Sequence, residues 1–360
     1  VKIVHVTQPV EAGVAVVVLE LAKAQKQRGW DVGIVCPQGR LTDQAHAAGI
    51  PVLDWNATRS PGPRTAKELL DLRKILRDQS PDVVHLHSSK AGLGRLVTRG
   101  RTPTLFQPHL WSFRIAEGLL SRVCRRWEAL ASRWTHMLVC VSDDELEAGR
   151  TAGVTSPAEV VCNGVDTQRL HPKTKEDDTP TAVCVGRVAH QKGQDLLLEA
   201  WPQVLETVPD AQLLIVGDGP MAATLRATPH RQVHWHGHSD QVADFYERAD
   251  VAVLPSRAEG MALVPLEAMA CGRSVVAFDV EGVRQSLADA GEVVPAGDTT
   301  ALARAIALRL ADPELAAAEG KRGRVRAETL FDRDRMTDQI VTLTEKLVAE
   351  KPVFTEEGRR

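Results

Sequence analysis

Short apolar runs recur along the chain, separated by longer stretches whose apolar residues return every three or four positions. The runs at 3–6, 32–35, 52–54, 83–86, 104–106 and 137–141 have the length and β-branched content of strands buried on both faces. Between them, 14–28, 65–78, 91–99, 115–133 and 143–152 carry the helical period. Strand and helix in alternation predict a parallel sheet covered by helices.

The pattern breaks at 171–180, a polar and charged stretch that contains Pro172 and Pro180, and then restarts. Strands are predicted at 182–185, 212–216, 233–236, 251–254 and 274–278, with helices at 194–208, 221–227, 241–248, 265–270 and 300–310. The segment 313–350 predicts two more helices, and 354–360 a frayed polar tail. The expected organisation is α/β. Rossmann-like, doubly wound domains cover 1–170 and 181–335, joined by a linker at 171–180, and 336–360 is a last helix and tail returning toward the first domain. Ligands of such sheets bind past the carboxyl ends of the strands, so the site is expected in a cleft between the domains.

Composition narrows the class. At 360 residues the chain is too long for one typical core, and 43% hydrophobic with 25% charged residues is an ordinary globular balance. A net charge of -3 argues against nucleic acid as the partner. No apolar run approaches the roughly 20 residues of a membrane span, and the opening residues read as a strand, not a leader. Cys36, Cys124, Cys140, Cys162, Cys184 and Cys271 form no C-x-x-C pair and read as reduced, mostly buried thiols of a cytoplasmic protein.

The chemistry concentrates after three strands. Behind the run 251–254, Glu259 falls in a loop, and Pro265 suits the first position of a helix whose first turn carries Glu267. The backbone N–H groups of Gly260, Met261, Ala262 and Leu263 then lie at the head of that helix, suited to an anion. An ionised carboxylate has two acceptor oxygens, so Glu267 suits a pair of ribose hydroxyls and Glu259 a sugar ring. Both would be ordinary solvated charges outside this Gly, Pro and Cys-Gly setting. Behind the run 182–185, Gly186 turns the chain and Arg187 and Lys192 lie at a strand's carboxyl end, suited to a diphosphate. Behind the first strand, Gly13 opens a helix where backbone can approach phosphate closely. It is a lone glycine, not a G-x-G-x-x-G set, which disfavours a dinucleotide enzyme.

These segments, with Gly217 in the Val216–Pro220 stretch and the Asn163-Gly164 pair, resemble the retaining family-four glycosyltransferases of bacterial polysaccharide and glycolipid assembly. The resemblance covers nearly the whole chain. It implies a GT-B fold and a retaining, metal-independent hexosyltransferase with a nucleotide diphosphate sugar as co-substrate and no cofactor. It assigns Arg187 and Lys192 to the diphosphate, Glu267 to the ribose, Glu259 to the donor sugar, and His109 to the neighbourhood of the transferred sugar. UDP-sugar is the expected donor, then GDP-mannose. A sugar-nucleotide epimerase and a non-catalytic nucleotide-sugar binder are the alternatives. One departure bears on the donor: where the family has a Gly-Gly pair and then a Glu, this chain has Val280, Glu281, Gly282, Val283 and Arg284.

Other patterns receive plainer readings. His234, His236 and His238 share a strand face, and His85 and His87 end another strand; neither set is read as a metal site. Asp332 and Asp334 form a D-x-D that reads as a helix start, as does Asp143 behind Ser142. The stretch 111–134 is basic and aromatic, with five arginines against two glutamates from Arg114 to Arg133. It fits either a helix packed into the first domain or one lying peripherally on the inner face of the cell membrane. The acceptor is expected to be a saccharide, lipid-linked or small molecule, with Ser88, Ser89, Lys90 and Trp111 as its candidate contacts.

Overall fold

The computed structural model describes residues 1–350. The tail read as frayed at 354–360 lies outside them. The chain divides into two compact units: Val1–Cys162 with the segment that begins at Asp334, and Asn163–Arg333.

The first unit holds a seven-stranded parallel sheet: β1 (Lys2–Thr7), β2 (Asp31–Cys36), β3 (Val52–Asp54), β4 (Val83–His87), β5 (Thr104–Gln107), β6 (Met137–Cys140) and β7 (Ala158–Val160), in the order β3-β2-β1-β4-β5-β6-β7. Side chains alternate between its faces. Ile3, Ile34, Val83 and Leu105 pack with helices Ala12–Gln27 and Arg333–Ala349, the latter contributing Met336, Ile340 and Leu347. Val4, Val84, Leu86 and Phe106 pack on the other face with Leu72, Trp111 and Phe113.

The second unit holds six parallel strands: β8 (Thr181–Val185), β9 (Gln212–Val216), β10 (Val233–Gly237), β11 (Val251–Leu254), β12 (Ser274–Phe278) and β13 (Gly291–Val294), in the order β10-β9-β8-β11-β12-β13. Helices Gln194–Thr207 and Thr299–Ala311 cover one face through Leu197, Trp201, Leu302 and Ile306. Among the described residues no helix is long and apolar enough to cross a membrane.

The stretch expected as a linker lies inside the second unit. Lys175 donates to Asp250 at 2.6 Å and Lys173 pairs with Glu247, which fastens 171–180 to the sheet. The change of unit comes earlier, after Cys162. Residues 163–170 are already tied into the second unit: the Val165 N–H donates to the Phe331 carbonyl at 2.8 Å, and the Arg324 guanidinium to the Leu170 carbonyl at 2.6 Å.

Candidate functional site

In the second unit the strand order reverses between β8 and β11. Loops leaving the two strands at a reversal diverge to opposite faces, and the crevice between them is where open parallel sheets take ligands. The two segments singled out by sequence leave these two strands. Their loops are tied together: Arg257 forks onto Asp195 at 2.8 and 2.7 Å, its N–H donates to the Gln191 carbonyl at 2.8 Å, and the Gln191 amide donates to the Ala258 carbonyl at 2.9 Å. Backbones approach so closely that a side chain is excluded. Gly193 has φ 69, and an added Cβ would lie 1.9 Å from the Pro255 carbonyl oxygen; at Gly217 it would lie 1.9 Å from that of Gly186.

Lys192 and Glu259 are brought together by this closure. The ammonium donates to Glu259 Oε1 at 2.6 Å, with the side chains 24% and 8% exposed. Arg187, on the turn behind Gly186, is half-buried, and its carbonyl accepts from the Gln194 amide at 3.2 Å. Gly260, Met261 and Ala262 are buried ahead of helix Leu263–Ala270, and Asn163 donates to the Met261 carbonyl at 2.8 Å.

That helix begins at Leu263, so Pro265 is not its first residue and Glu267 lies in its second turn. Pro265 is tolerated because the first four helical N–H groups lack intrahelical partners in any case. Glu267 Oε2 accepts from the Tyr246 hydroxyl at 2.9 Å. Burial pushes the Glu267 carboxyl above its ordinary range, opposed by the Tyr246 hydrogen bond and by the charges of Arg169 and Lys192. Asn163 belongs to the Asn163-Gly164 pair of the sequence pattern, but Tyr246 is not part of it; a buried tyrosine with a carboxylate acceptor is recognised only once the helices are in place. In the loop behind β12, where the family pattern is broken, Arg284 forks onto Asp279 at 2.8 and 2.7 Å.

In the first unit the order reverses between β1 and β4. Behind β1, β4 and β5 stand Ala12, Ser88 and His109, non-glycine residues with φ of 61, 67 and 61. A left-handed backbone at such residues costs about 1–3 kcal/mol each and persists where its surroundings dictate it. Gly13 lies in the first turn of helix Ala12–Gln27. On the face under this helix the sheet turns polar toward its carboxyl edge, where His5, His85 and His87 are fully buried. His5 sits opposite His85 in the β1–β4 register. His5 Nε2 lies 2.7 Å from Gln25 Oε1, His5 Nδ1 3.0 Å from His87 Nε2, and His87 Nδ1 3.1 Å from His109 Nε2. Burial lowers the pKa of His5 to about 4 and of His109 to about 3, and holds His85 and His87 well below the usual range, so all four are neutral near pH 7.

Two expected acceptor contacts are corrected. Trp111 is fully buried, stacks on Phe113 and donates its indole N–H to the Glu145 carbonyl at 2.7 Å, so it serves the core. Lys90 is buried with its ammonium 2.5 Å from Glu68, in a pair whose side chains are each 4% exposed, and so is committed within the unit. Ser88 and Ser89 stay half-buried at the head of a short helix. The ring nitrogens of His5, His85 and His87 gather within 4.8 Å of one another, the single set with metal-ligand chemistry found among the described residues. His236 meets the Phe245 ring and His238 pairs with Asp240 at 3.5 Å, which separates the other histidine set. Asp332 accepts from the Thr167 hydroxyl directly ahead of helix Arg333–Ala349, and Ser142 caps helix Asp143–Thr151 by accepting from the Glu145 N–H.

Residues 12–169 match the family model described as Glycosyltransferase Family 4, and 179–312 that of Glycosyl transferases group 1. The chain is 28% identical over 313 residues to the UDP-Gal:alpha-D-GlcNAc-diphosphoundecaprenol alpha-1,3-galactosyltransferase of Escherichia coli, spanning 78% of this chain and 80% of the relative. It is 31% identical over 242 residues to the lipopolysaccharide core biosynthesis mannosyltransferase LpsB of Rhizobium meliloti (strain 1021), spanning 60% of this chain and 69% of that one. The crystal structure of Anabaena HepE in complex with UDP-glucose superposes with a TM-score of 0.82 at 20% identity, over 96% of this chain and 99% of that one, a likeness of fold. Two Rossmann-like units, the loops gathered at their strand reversals, and family models matching each half identify the chain as a family-four glycosyltransferase of the GT-B fold, an enzyme that draws its sugar from a nucleotide-sugar donor.

Proposed function

We propose that the chain transfers a hexose from a UDP-sugar to a hydroxyl of a lipid-linked saccharide, with retention of configuration and without a metal ion. GDP-mannose is the second donor in this reading. The observation that carries it is the Lys192–Glu259 pair held between the loops of β8 and β11. A diphosphate drawing on Lys192 and Arg187 leaves Glu259 to accept hydroxyls of the donor sugar. The backbone N–H groups from Gly260 to Leu263 add to the anion's field, and Glu267 takes the ribose. The bond from the anomeric carbon to the diphosphate oxygen breaks first. The acceptor oxygen bonds to the same face, and its proton passes to the departing diphosphate. His109 attends the transferred sugar.

The uridine preference draws support from the galactosyltransferase named for UDP-Gal and from the neighbour crystallised with UDP-glucose; the mannosyltransferase relative keeps GDP-mannose second. Thermal denaturation with nucleotides tests it. UDP and UDP-hexoses at about 100 times Kd are expected to add about 2.7 kcal/mol of stability, and GDP-mannose much less. Stabilisation by guanosine compounds alone would reverse the donor assignment. Transfer in EDTA, with the anomeric configuration read by NMR, tests retention and metal independence together.

The lipid-linked acceptor draws support from helix Gly118–Ala131. Its Leu119, Leu120, Val123 and Leu130 are 76%, 61%, 54% and 43% exposed, and Arg122, Arg126 and Arg133 are exposed beside them. Apolar side chains outward among arginines suit an anionic lipid surface. The double substitution Leu119→Ser with Val123→Ser is expected to cut sedimentation with vesicles containing phosphatidylglycerol by at least tenfold, because about 0.8 kcal/mol for each buried carbon lost reaches a tenfold effect once two of them lie in lipid. Equal sedimentation of both proteins would remove the membrane from the reading.

A further inference from the structure

His109 stands at the end of a line of buried groups that the transfer reaction, as described, does not use. The line runs from Gln25 Oε1 to His5, from His5 to His87 and from His87 to His109, with separations of 2.7, 3.0 and 3.1 Å. Each joint is a hydrogen bond in length. Each imidazole in it is neutral, and a neutral imidazole carries one N–H and one lone pair. With the Gln25 carboxamide oxygen facing His5, only one arrangement of protons satisfies every joint.

A carboxamide oxygen only accepts, so His5 Nε2 carries the hydrogen and His5 Nδ1 the lone pair. That lone pair requires a hydrogen on His87 Nε2, which leaves His87 Nδ1 as an acceptor. His87 Nδ1 in turn requires a hydrogen on His109 Nε2. The proton pattern fixed at Gln25, on helix Ala12–Gln27, is thereby passed across β1 and β4 to the loop behind β5. His85 packs beside the middle of the line, its ring centroid 3.9 Å from that of His87. The left-handed backbone at His109, φ 61, turns the loop so that the ring meets His87.

We infer that His5 and His87 are positioning residues for His109: together with Gln25 they fix it as the Nε2–H tautomer and leave its Nδ1 to accept the hydrogen of a sugar hydroxyl. This rests on the reading that places His109 at the transferred sugar, and it adds the direction of that contact. The imidazole accepts from the sugar and does not donate to it.

Nitrogen-15 NMR of the intact protein labelled at histidine tests the relay without reference to activity. Couplings across hydrogen bonds are expected between His109 Nε2 and His87 Nδ1 and between His87 Nε2 and His5 Nδ1, with hydrogen on every Nε2. In His5→Phe, which does not touch His109, the His109 nitrogen shifts are expected to move. In the transfer assay, His87→Phe is expected to lower kcat about tenfold with KM for the donor little changed. His87→Gln, which can accept from His109 and donate to His5, is expected to recover a good part of the loss at an equal Tm. Hydrogen on Nδ1 at His87 or His109, or His109 shifts indifferent to His5→Phe, would overturn the relay. An intact relay in a protein whose His109→Ala variant transfers sugar at the normal rate would instead remove the site role of His109, and with it the inferred contact to the sugar.

Discussion

Lys192→Ala is expected to lower kcat for sugar transfer about 100-fold or more, the scale of losing one preorganised donor to a developing anion. The ammonium lies 2.6 Å from Glu259 and is 24% exposed, so it is already placed and partly desolvated before any phosphate arrives. In the proposed reading its removal takes charge from the leaving diphosphate, and it also leaves the Glu259 carboxylate, 8% exposed, without its cation. Lys192→Arg keeps the charge but offers a planar fork in place of a compact ammonium, so partial activity is expected. Initial rates with the donor varied provide the check, since a group acting on the leaving diphosphate lowers kcat and kcat/KM together. A rate within a few-fold of the parent protein would put the diphosphate elsewhere.

Glu128→Ala is expected to destabilise the first unit by about 3–5 kcal/mol, the cost of leaving one partner of a buried ion pair alone. Arg95 is 1% exposed, donates to Glu128 Oε2 at 2.6 Å and to the Gly92 carbonyl at 2.7 Å, and lies 3.8 Å above the Phe106 ring. Without Glu128 a guanidinium remains in the core beside a carbonyl and the Phe106 and Trp127 rings, with no counter-charge in contact. Against a typical total stability of about 5–15 kcal/mol the loss is large. Urea denaturation followed by circular dichroism measures it. The paired variant Arg95→Met with Glu128→Leu is expected to recover most of the loss, because it removes both charges from the interior.

Most of the strands legible in sequence are contiguous apolar runs at the centres of their sheets, and β3 and β10 at the sheet ends were legible too, from Val52 and Leu53 and from the alternation of Val233 and Trp235 with histidine. β7 and β13 carry no contiguous apolar run: Glu159 splits Ala158 from Val160, and Gly291 and Glu292 open the other strand. Helices Arg40–Ala47 and Val283–Leu287 have no comparable apolar period: the first buries only Leu41, Thr42 and Ala45, and the second is a single short turn of five residues. The sequence identified Lys192 and Glu259 separately through their loop settings, but their pairing depends on how two strand ends meet. His5 was visible as a strand residue, and the alternation of His85 and His87 was noticed. Their union needed the β1–β4 register, which no local pattern encodes. The basic aromatic stretch was undecided because periodicity alone does not say which residues face in. Trp111 and Phe113 do, whereas Leu119, Leu120 and Val123 do not.

The first unit is assembled from both ends of the described chain. Helix Arg333–Ala349 contributes Met336, Ile340 and Leu347 to the same core as Ile3 and Ile34. On a ribosome, therefore, the half made earliest is the last to be completed: its sheet must wait, with that flank uncovered, until the whole intervening unit has emerged. The contiguous Asn163–Arg333 unit has no such delay, and its closure brings Asp334 and the helix that follows it within reach of a sheet synthesised long before.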